Sequence, residues 1–315
     1  MGTNARYFVG AYAASPNTVN WDPVLEESFY NGLRSLQRIR GLEHPFYGSL
    51  HRYDSLWFIK RIRSDWEFLF TCIPGTMDRL RSDPKFGLAS ADSEGRAAAL
   101  SFMKQAQEAV SELNCHLGRK AVVGVALHSA PTRTLEAQSS AAWFSESLLR
   151  IREWDWNGAK LLVEHCDAFR PEWPPSKGFL NLEDELNAIA QTNHCRTETG
   201  ILINWGRSAL EGHSVSTPLQ HLRKSLDSGS LAGLMFSGVC ATDSIYGSWL
   251  DSHAPFARHY PNSLMTEQTV RAALQVYEKP GVLGFKIQTL PQSLSLRERL
   301  RLIESSLEYL SGLSR

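Results

Sequence analysis

Short apolar runs recur along the chain, separated by longer stretches with helical spacing. The runs are YFVGAY (7–12), PFYGSLH (45–51), EFLFTCIP (67–74), AVVGVALHS (121–129), KLLVEHC (160–166), GILINWG (200–206), LAGLMFSG (231–238) and VLGFKIQ (282–288). Their apolar character is nearly continuous rather than alternating, as in strands covered on both faces of a parallel sheet. Between them, VLEESFYNGLRSLQRI (24–39) sets Leu25, Phe29, Leu33 and Leu36 on one stripe. Further helices are predicted over 93–117 with Ser93 as N-cap, 140–154, 182–192, 218–228, 266–279 and 294–313. Thr266 followed by Glu267 reads as a helix start and Gly312 as a stop. YDSLWFIKRI (53–62) is a short, weaker pattern.

Strands alternating with helices in this way predict a (β/α)8 barrel built as one domain over residues 1–315. A doubly wound open sheet is the alternative, but no G-x-G-x-x-G follows the first strand, so no nucleotide cofactor is expected. The Pro-rich RPEWPPSKG (170–178) reads as a rigid loop after a strand, not a domain boundary.

Composition adds mainly exclusions. The 33 basic and 33 acidic residues cancel, which argues against a nucleic-acid partner or a membrane surface. No apolar run reaches the roughly 18 residues of a membrane span, and the first residues lack a secretory pattern. Five dispersed cysteines without a C-x-x-C pair fit a reduced, cytoplasmic protein. A small-molecule substrate is the expected partner, and the sequence admits a homodimer.

In a barrel the active site lies where the strands end. Polar side chains gather there: Tyr12 after the first run; Glu43, His44 and His51 around the second; Thr71 in the third; His128 and Ser129 after the fourth. Glu164, His165 and Asp167 close the fifth run, and Asn204, Trp205, Arg207 and Ser208 the sixth. Ser237 ends the seventh, whose loop carries Asp243, Tyr246, Trp249, Asp251 and His253; Lys286 and Gln288 stand at the eighth. Three ionisable groups just past an apolar strand, as in VEHCDA, are costly to bury without partners. Glu164 and His165 are adjacent on a strand and must face opposite ways. Lys286, between Phe285 and Ile287, points opposite to both; it suits pairing with Glu164, general-base chemistry or a Schiff base.

The segments YFVGAYAASP, IPGTM, DPKFGLAS, HSAP, EHCDA, KGFLNLEDEL and INWGRSALEG together resemble an uncharacterised microbial family carried as a domain of unknown function. That family looks like a member of the xylose-isomerase-like TIM barrels, which include sugar isomerases, ketose 3-epimerases, inosose dehydratases and AP endonucleases. The resemblance implies one divalent metal (Mn, Mg, Zn or Co) held by Glu, Asp, His and Glu from strands 5 to 8. Glu164 matches the first position, and Asp167 is a further candidate ligand. Asn204, Ser237 and Lys286 depart from the other three, so metal-dependent and metal-free chemistry both stay open.

The expected activity is isomerase- or epimerase-like proton transfer next to the carbonyl of a small polyhydroxylated substrate. Glu164 is the expected base, with His128 or Lys286 as acid or enolate stabiliser and Arg207 orienting substrate oxygens. Tyr12, His51, Asn204, Trp205, Asp243, Tyr246 and Trp249 are the expected substrate-binding residues, the two tryptophans by stacking on a sugar ring. The alternatives are a metal-independent lyase or hydrolase, and a non-catalytic binding barrel.

Overall fold

A computed structural model describes residues 5–17, 20–192, 194–278 and 281–314. Eight parallel strands follow one another around a closed barrel: β1 (Tyr7–Val9), β2 (Ile39–Pro45), β3 (Glu67–Thr71), β4 (Val122–Leu127), β5 (Lys160–His165), β6 (Thr199–Asn204), β7 (Leu231–Phe236) and β8 (Val282–Phe285). The ring closes where Phe8 pairs with Gly284 and Val9 with Phe285.

Ten α-helices among the described residues surround it: α1 (Pro23–Ser35), α2 (Ser55–Ile59), α3 (Ile73–Ser82), α4 (Ser93–Leu117), α5 (Ala141–Arg152), α6 (Leu182–Gln191), α7 (Trp205–Gly212), α8 (Thr217–Asp227), α9 (Glu267–Val276) and α10 (Leu296–Leu313). None of the described helices is long and apolar enough to cross a membrane.

The helix boundaries follow local capping chemistry. Asp22, Ser140, Asn181 and Thr266 each accept a hydrogen bond from the first turn of the helix they precede, filling donors that a helix leaves unpaired. Ser295 and Glu298 form a reciprocal capping box on α10. The cap of α4 is Asp92, not the expected Ser93: its carboxylate accepts from Glu94 and Gly95 N–H. Gly312 does not stop α10, which runs on to Leu313. Residue 279, the last of the expected 266–279 helix, lies outside the described residues.

The second strand differs most from expectation. It is Ile39–Pro45 (IRGLEHP), not 45–51. Its polar positions hid it: Arg40 reaches Glu67 at 2.8 Å and the Gly281 carbonyl, while Glu43 is buried inside the barrel. Two helices went unread because they begin where a strand ends. α3 starts two residues after β3, and α7 directly after β6, where the Asn204 side chain caps Arg207 N–H.

The barrel interior is layered. Phe8, Leu69, Ala126, Leu162, Leu202, Met235 and Val282 fill its apolar part. Side chains on a strand return to the same face every second residue. Two residues on from Phe8, Leu69, Ala126, Leu162, Leu202 and Met235 stand Gly10, Thr71, His128, Glu164, Asn204 and Ser237. Glu43 follows Gly41, and Lys286 follows Gly284, in the same phase. Each strand thus contributes one position to a polar ring above the apolar layer.

Candidate active site

Glu164 is the hub of this ring and is fully buried. Its Oε1 accepts from Asn204 Nδ2 at 3.1 Å and pairs with two cations, Arg207 Nη1 at 2.8 Å and Lys286 Nζ at 3.8 Å. Its Oε2 faces His128 Nε2 at 2.8 Å and Thr71 Oγ1 at 3.5 Å. Burial alone would raise the Glu164 pKa, but Arg207, Lys286 and His128 outweigh it and hold the carboxyl well below the usual range. Glu164 is therefore a weak base with its lone pairs occupied, and the expected role as proton-abstracting base does not fit.

Lys286 also reaches Glu43 Oε1 at 3.1 Å, and both side chains are fully shielded from solvent. Burial disfavours the Lys286 ammonium, yet Glu43, Tyr12 and Glu164 raise its pKa above the ordinary value. It is a fixed cation, not the neutral amine that general-base or Schiff-base chemistry needs. Gly10 makes room for the pair: a Cβ there would lie 2.6 Å from Glu43 Oε2 and 2.8 Å from Lys286 Cβ.

Arg207 extends the network outward. Its Nε donates to Asp251 Oδ2 at 3.2 Å, and its Nη1 lies 3.4 Å from Cys166 Sγ. Asp251 also meets Lys177 at 3.1 Å and His253 Nδ1 at 3.3 Å. Burial opposes the Asp251 charge, but Arg207, Lys177 and His253 prevail and hold its carboxyl well below the usual range. His253 Nδ1 also lies 2.7 Å from Ser237 Oγ. Burial drives its pKa down to about 3, despite Asp251.

Three buried polar atoms here have no protein partner: Glu43 Oε2, His128 Nδ1 and Asp167 Oδ1. Asp167 Oδ2 accepts from Lys177 N–H at 2.9 Å, and burial raises its pKa.

A cavity of about 220 Å³ opens beside the ring, over the ends of β1 and β2. Tyr12 lines it, on a 3-10 turn (Ala11–Ala14), with its ring centre 5.7 Å from Lys286 Nζ. Trp21 and Tyr53, both in its lining, stack on each other at 5.4 Å and 8°, and Glu26, His51 and Arg52 supply polar groups.

Of the expected site residues, Glu164, His128, Lys286, Arg207 and Asn204 come together, with Tyr12 beside them. His51 lies apart on the cavity wall, 3.4 Å from Glu26. Trp205 is 1% exposed and packed in the core between sheet and helices, so it has no face to offer a sugar. Asp243 binds the backbone of Ile245 and Tyr246 and the side chains of Tyr260 and Asn262, which makes it a loop cap. Tyr246 is buried, its hydroxyl on the Gln288 carbonyl. Trp249 stacks on His213, which stacks in turn on Trp173. Glu43, Thr71, Asp251 and His253 stood among the polar residues at the strand ends without an assigned role, and Lys177 was not singled out; counting by two along β2 and β3 places the first two in the ring.

The donor set does not fit the divalent metal implied by the resemblance. At the ligand positions of strands 6 to 8 stand the Asn204 amide, which turns its N–H to Glu164, Ser237, which is engaged by His253, and the Lys286 ammonium. A metal bonded to Glu164 would share that carboxylate with two cations, Lys286 and Arg207. Asp167 turns to the backbone of Lys177. Among the described residues, Glu164 and Asp167 belong to no group of three His, Cys, Asp or Glu side chains close enough to share an ion.

Solved structures with the same architecture include a xylose isomerase homologue from Rhodospirillum rubrum (TM-score 0.64, 12% identity, 99% of each chain covered). Others are an L-ribulose 3-epimerase (TM-score 0.62, 13% identity, 98% of this chain and 94% of that one) and a D-allulose 3-epimerase from Methylomonas sp. in complex with D-allulose (TM-score 0.62, 11% identity, 98% and 97%). The Salmonella typhimurium protein STM3670, described as uncharacterised, is 34% identical over 320 aligned positions spanning all of both chains. The family model described as a domain of unknown function, DUF4862, matches residues 8–302, and the chain, a TIM barrel, belongs to that family.

Proposed function

We propose that this barrel is an enzyme of the sugar isomerase and epimerase kind, moving a proton on the carbon next to the carbonyl of a small polyhydroxylated substrate. The observation that carries this reading is His128. Its Nε2 is fixed by Glu164, and its Nδ1 is buried without a partner. An ionised carboxylate only accepts, so the hydrogen sits on Nε2 and the lone pair on Nδ1. Burial lowers the His128 pKa, against the pull of Glu164, so the ring is neutral near pH 7. A neutral imidazole oriented by a carboxylate, with its other nitrogen free, is equipped as a general base.

Glu164 then positions rather than reacts. It holds the base on Oε2 and two cations on Oε1. Lys286 and Arg207 supply positive charge for the enolate oxygen that forms as the proton leaves, in a site shielded from water. Asn204 spends both ends of its amide on Glu164 and the α7 N-terminus, so it too is a positioning residue. The cavity beside Tyr12 suits a single small sugar-like molecule; it is below the roughly 300–1,000 Å³ of larger ligand sites. The Trp21–Tyr53 stack offers aromatic surface for the apolar face of a sugar. The shared architecture with ketose 3-epimerases supports the reaction class and leaves the substrate to experiment.

A panel of ketoses, aldoses and sugar acids in D2O, followed by proton NMR, tests this. Wild-type protein is expected to exchange the hydrogen next to the carbonyl of at least one compound. His128→Asn is expected to lose about 100-fold or more of that rate. Absence of exchange with every compound would sink the reading, and full-rate exchange by His128→Asn would move the base elsewhere.

A further inference from the structure

Behind β5, away from the barrel interior, lies a second buried cluster. His165 follows Glu164 on the strand and turns toward the helices. Its Nδ1 is 2.7 Å from Glu185 on α6, and its Nε2 is 2.9 Å from Glu211 on α7. His221 on α8 places Nε2 3.9 Å from the other Glu211 oxygen, with its Nδ1 3.0 Å from Ser208 Oγ. The two rings meet edge to face at 4.8 Å. One ligand atom from each of His165, Glu211 and His221 lies within 4.8 Å of the others. His165 and Glu185 are fully buried, and the His221 side chain is 12% exposed.

Imidazole nitrogen with carboxylate oxygen is a donor set suited to zinc. A metal-binding histidine almost always has its second ring nitrogen held by a neighbour, which fixes tautomer and orientation. Both histidines have such a neighbour, Glu185 for one and Ser208 for the other, and both direct Nε2 at one carboxylate. Around a tetrahedral ion with bonds of about 2.0–2.1 Å, donors stand roughly 3.4 Å apart. The two imidazoles stand 2.9 and 3.9 Å from the two oxygens of the Glu211 carboxylate, and one ligand atom from each residue lies within 4.8 Å of the others, so a small inward shift of the His221 ring brings the donors to that spacing.

We propose that His165 Nε2, His221 Nε2 and Glu211 bind one divalent ion of the zinc type behind β5, with water as fourth ligand. The ion takes the place of the hydrogen that His165 Nε2 shares with Glu211, and that proton leaves to solvent. Arg170, half exposed and 2.8 Å from Glu211 Oε1, keeps its oxygen or swings outward. The site ties β5, α7 and α8 together, and α6 through Glu185, at the back of the strand whose front carries Glu164. It does not depend on the proton-transfer reading of the barrel.

The test uses the full chain, stripped with chelator and titrated with Zn2+ by calorimetry and with Co2+ by visible absorption. One ion per chain, a tetrahedral Co2+ spectrum and a higher melting midpoint with Zn2+ are expected. Glu164→Gln is expected to bind as wild type does, and Glu185→Gln to bind about 10- to 100-fold more weakly. His221→Phe, a change at a partly exposed position, is expected to lose the tetrahedral spectrum. No stoichiometric binding by wild type, or an unchanged Co2+ spectrum in His221→Phe, overturns the proposal and leaves a cluster held by protons alone. Should His221→Phe fail to fold, the wild-type Co2+ spectrum decides by itself, and a non-tetrahedral one overturns the proposal.

Discussion

Lys286 and Glu43, 243 residues apart in the chain, meet at 3.1 Å inside the barrel with no solvent on either side chain. Breaking a buried pair leaves one charge without compensation, which typically costs about 3–5 kcal/mol. Lys286→Met is therefore expected to lower the urea midpoint strongly and to abolish activity. Adding Glu43→Gln removes the stranded charge. The double variant is expected to regain most of the lost stability and none of the activity. A double variant as unstable as Lys286→Met would show that the pair does not carry this energy.

Gly10 tests the same pair by volume. A methyl there meets Glu43 Oε2 and Lys286 Cβ at distances side chains do not tolerate. Gly10→Ala is expected to destabilise the protein by about 1–3 kcal/mol and to reduce activity. Wild-type melting and turnover would show that the ring yields easily.

Acid should weaken the fold before most carboxylates titrate. Burial lowers His44 to about 4 and His253 to about 3, against about 6.5 for unfolded imidazole. The unfolded chain binds more protons between those values. The stability these groups contribute is complete above pH 6.5 and falls as pH drops toward 4. Urea midpoints from pH 7 to 4.5 should decline, and His44→Gln should flatten the slope. A level profile in wild type would contradict the buried, neutral state of these rings.

The cavity aromatics should act on binding rather than on chemistry. Once a substrate is in hand, Trp21→Ala and Tyr53→Ala are each expected to raise KM about 5- to 50-fold with kcat within a few-fold of wild type, the sign of lost uniform binding. A fall in kcat at unchanged KM would place the substrate elsewhere.

The barrel was legible in the sequence because both-face burial leaves continuous apolar runs: six of the eight expected runs cover their strands in full, and a seventh misses only Thr199. β2 failed because Arg40, Glu43 and His44 interrupt its apolar character, and an apolar loop just after it carried the stronger signal. That Glu164, His128, Arg207, Asn204 and Lys286 stand at one end of the strands was legible from the sequence, and so was Lys286 as a partner of Glu164; the contacts of Glu164 with His128 and Asn204 were not. Trp205 was misread because it lies one step out of phase with Asn204, on the helix side. Lys177 and the pairing of Asp251 with Arg207 lay beyond sequence reasoning: Lys177 and Asp251 sit in loops that meet only through the three-dimensional path of the chain. Counting by two from the apolar layer would have sorted Glu164 from His165, and Asn204 from Trp205, without coordinates.

The alternation of Glu164 and His165 also bears on how the chain avoids misfolding. A slip of β5 by one residue would turn Glu164 out toward Glu185 and Glu211, acid against acid. The same slip would bring His165 into the barrel beside Lys286 and Arg207. Both faces would then oppose the wrong register, where an all-apolar strand would discriminate far less. The two charged clusters therefore act as a lock on strand alignment during folding, whichever reaction the barrel carries out.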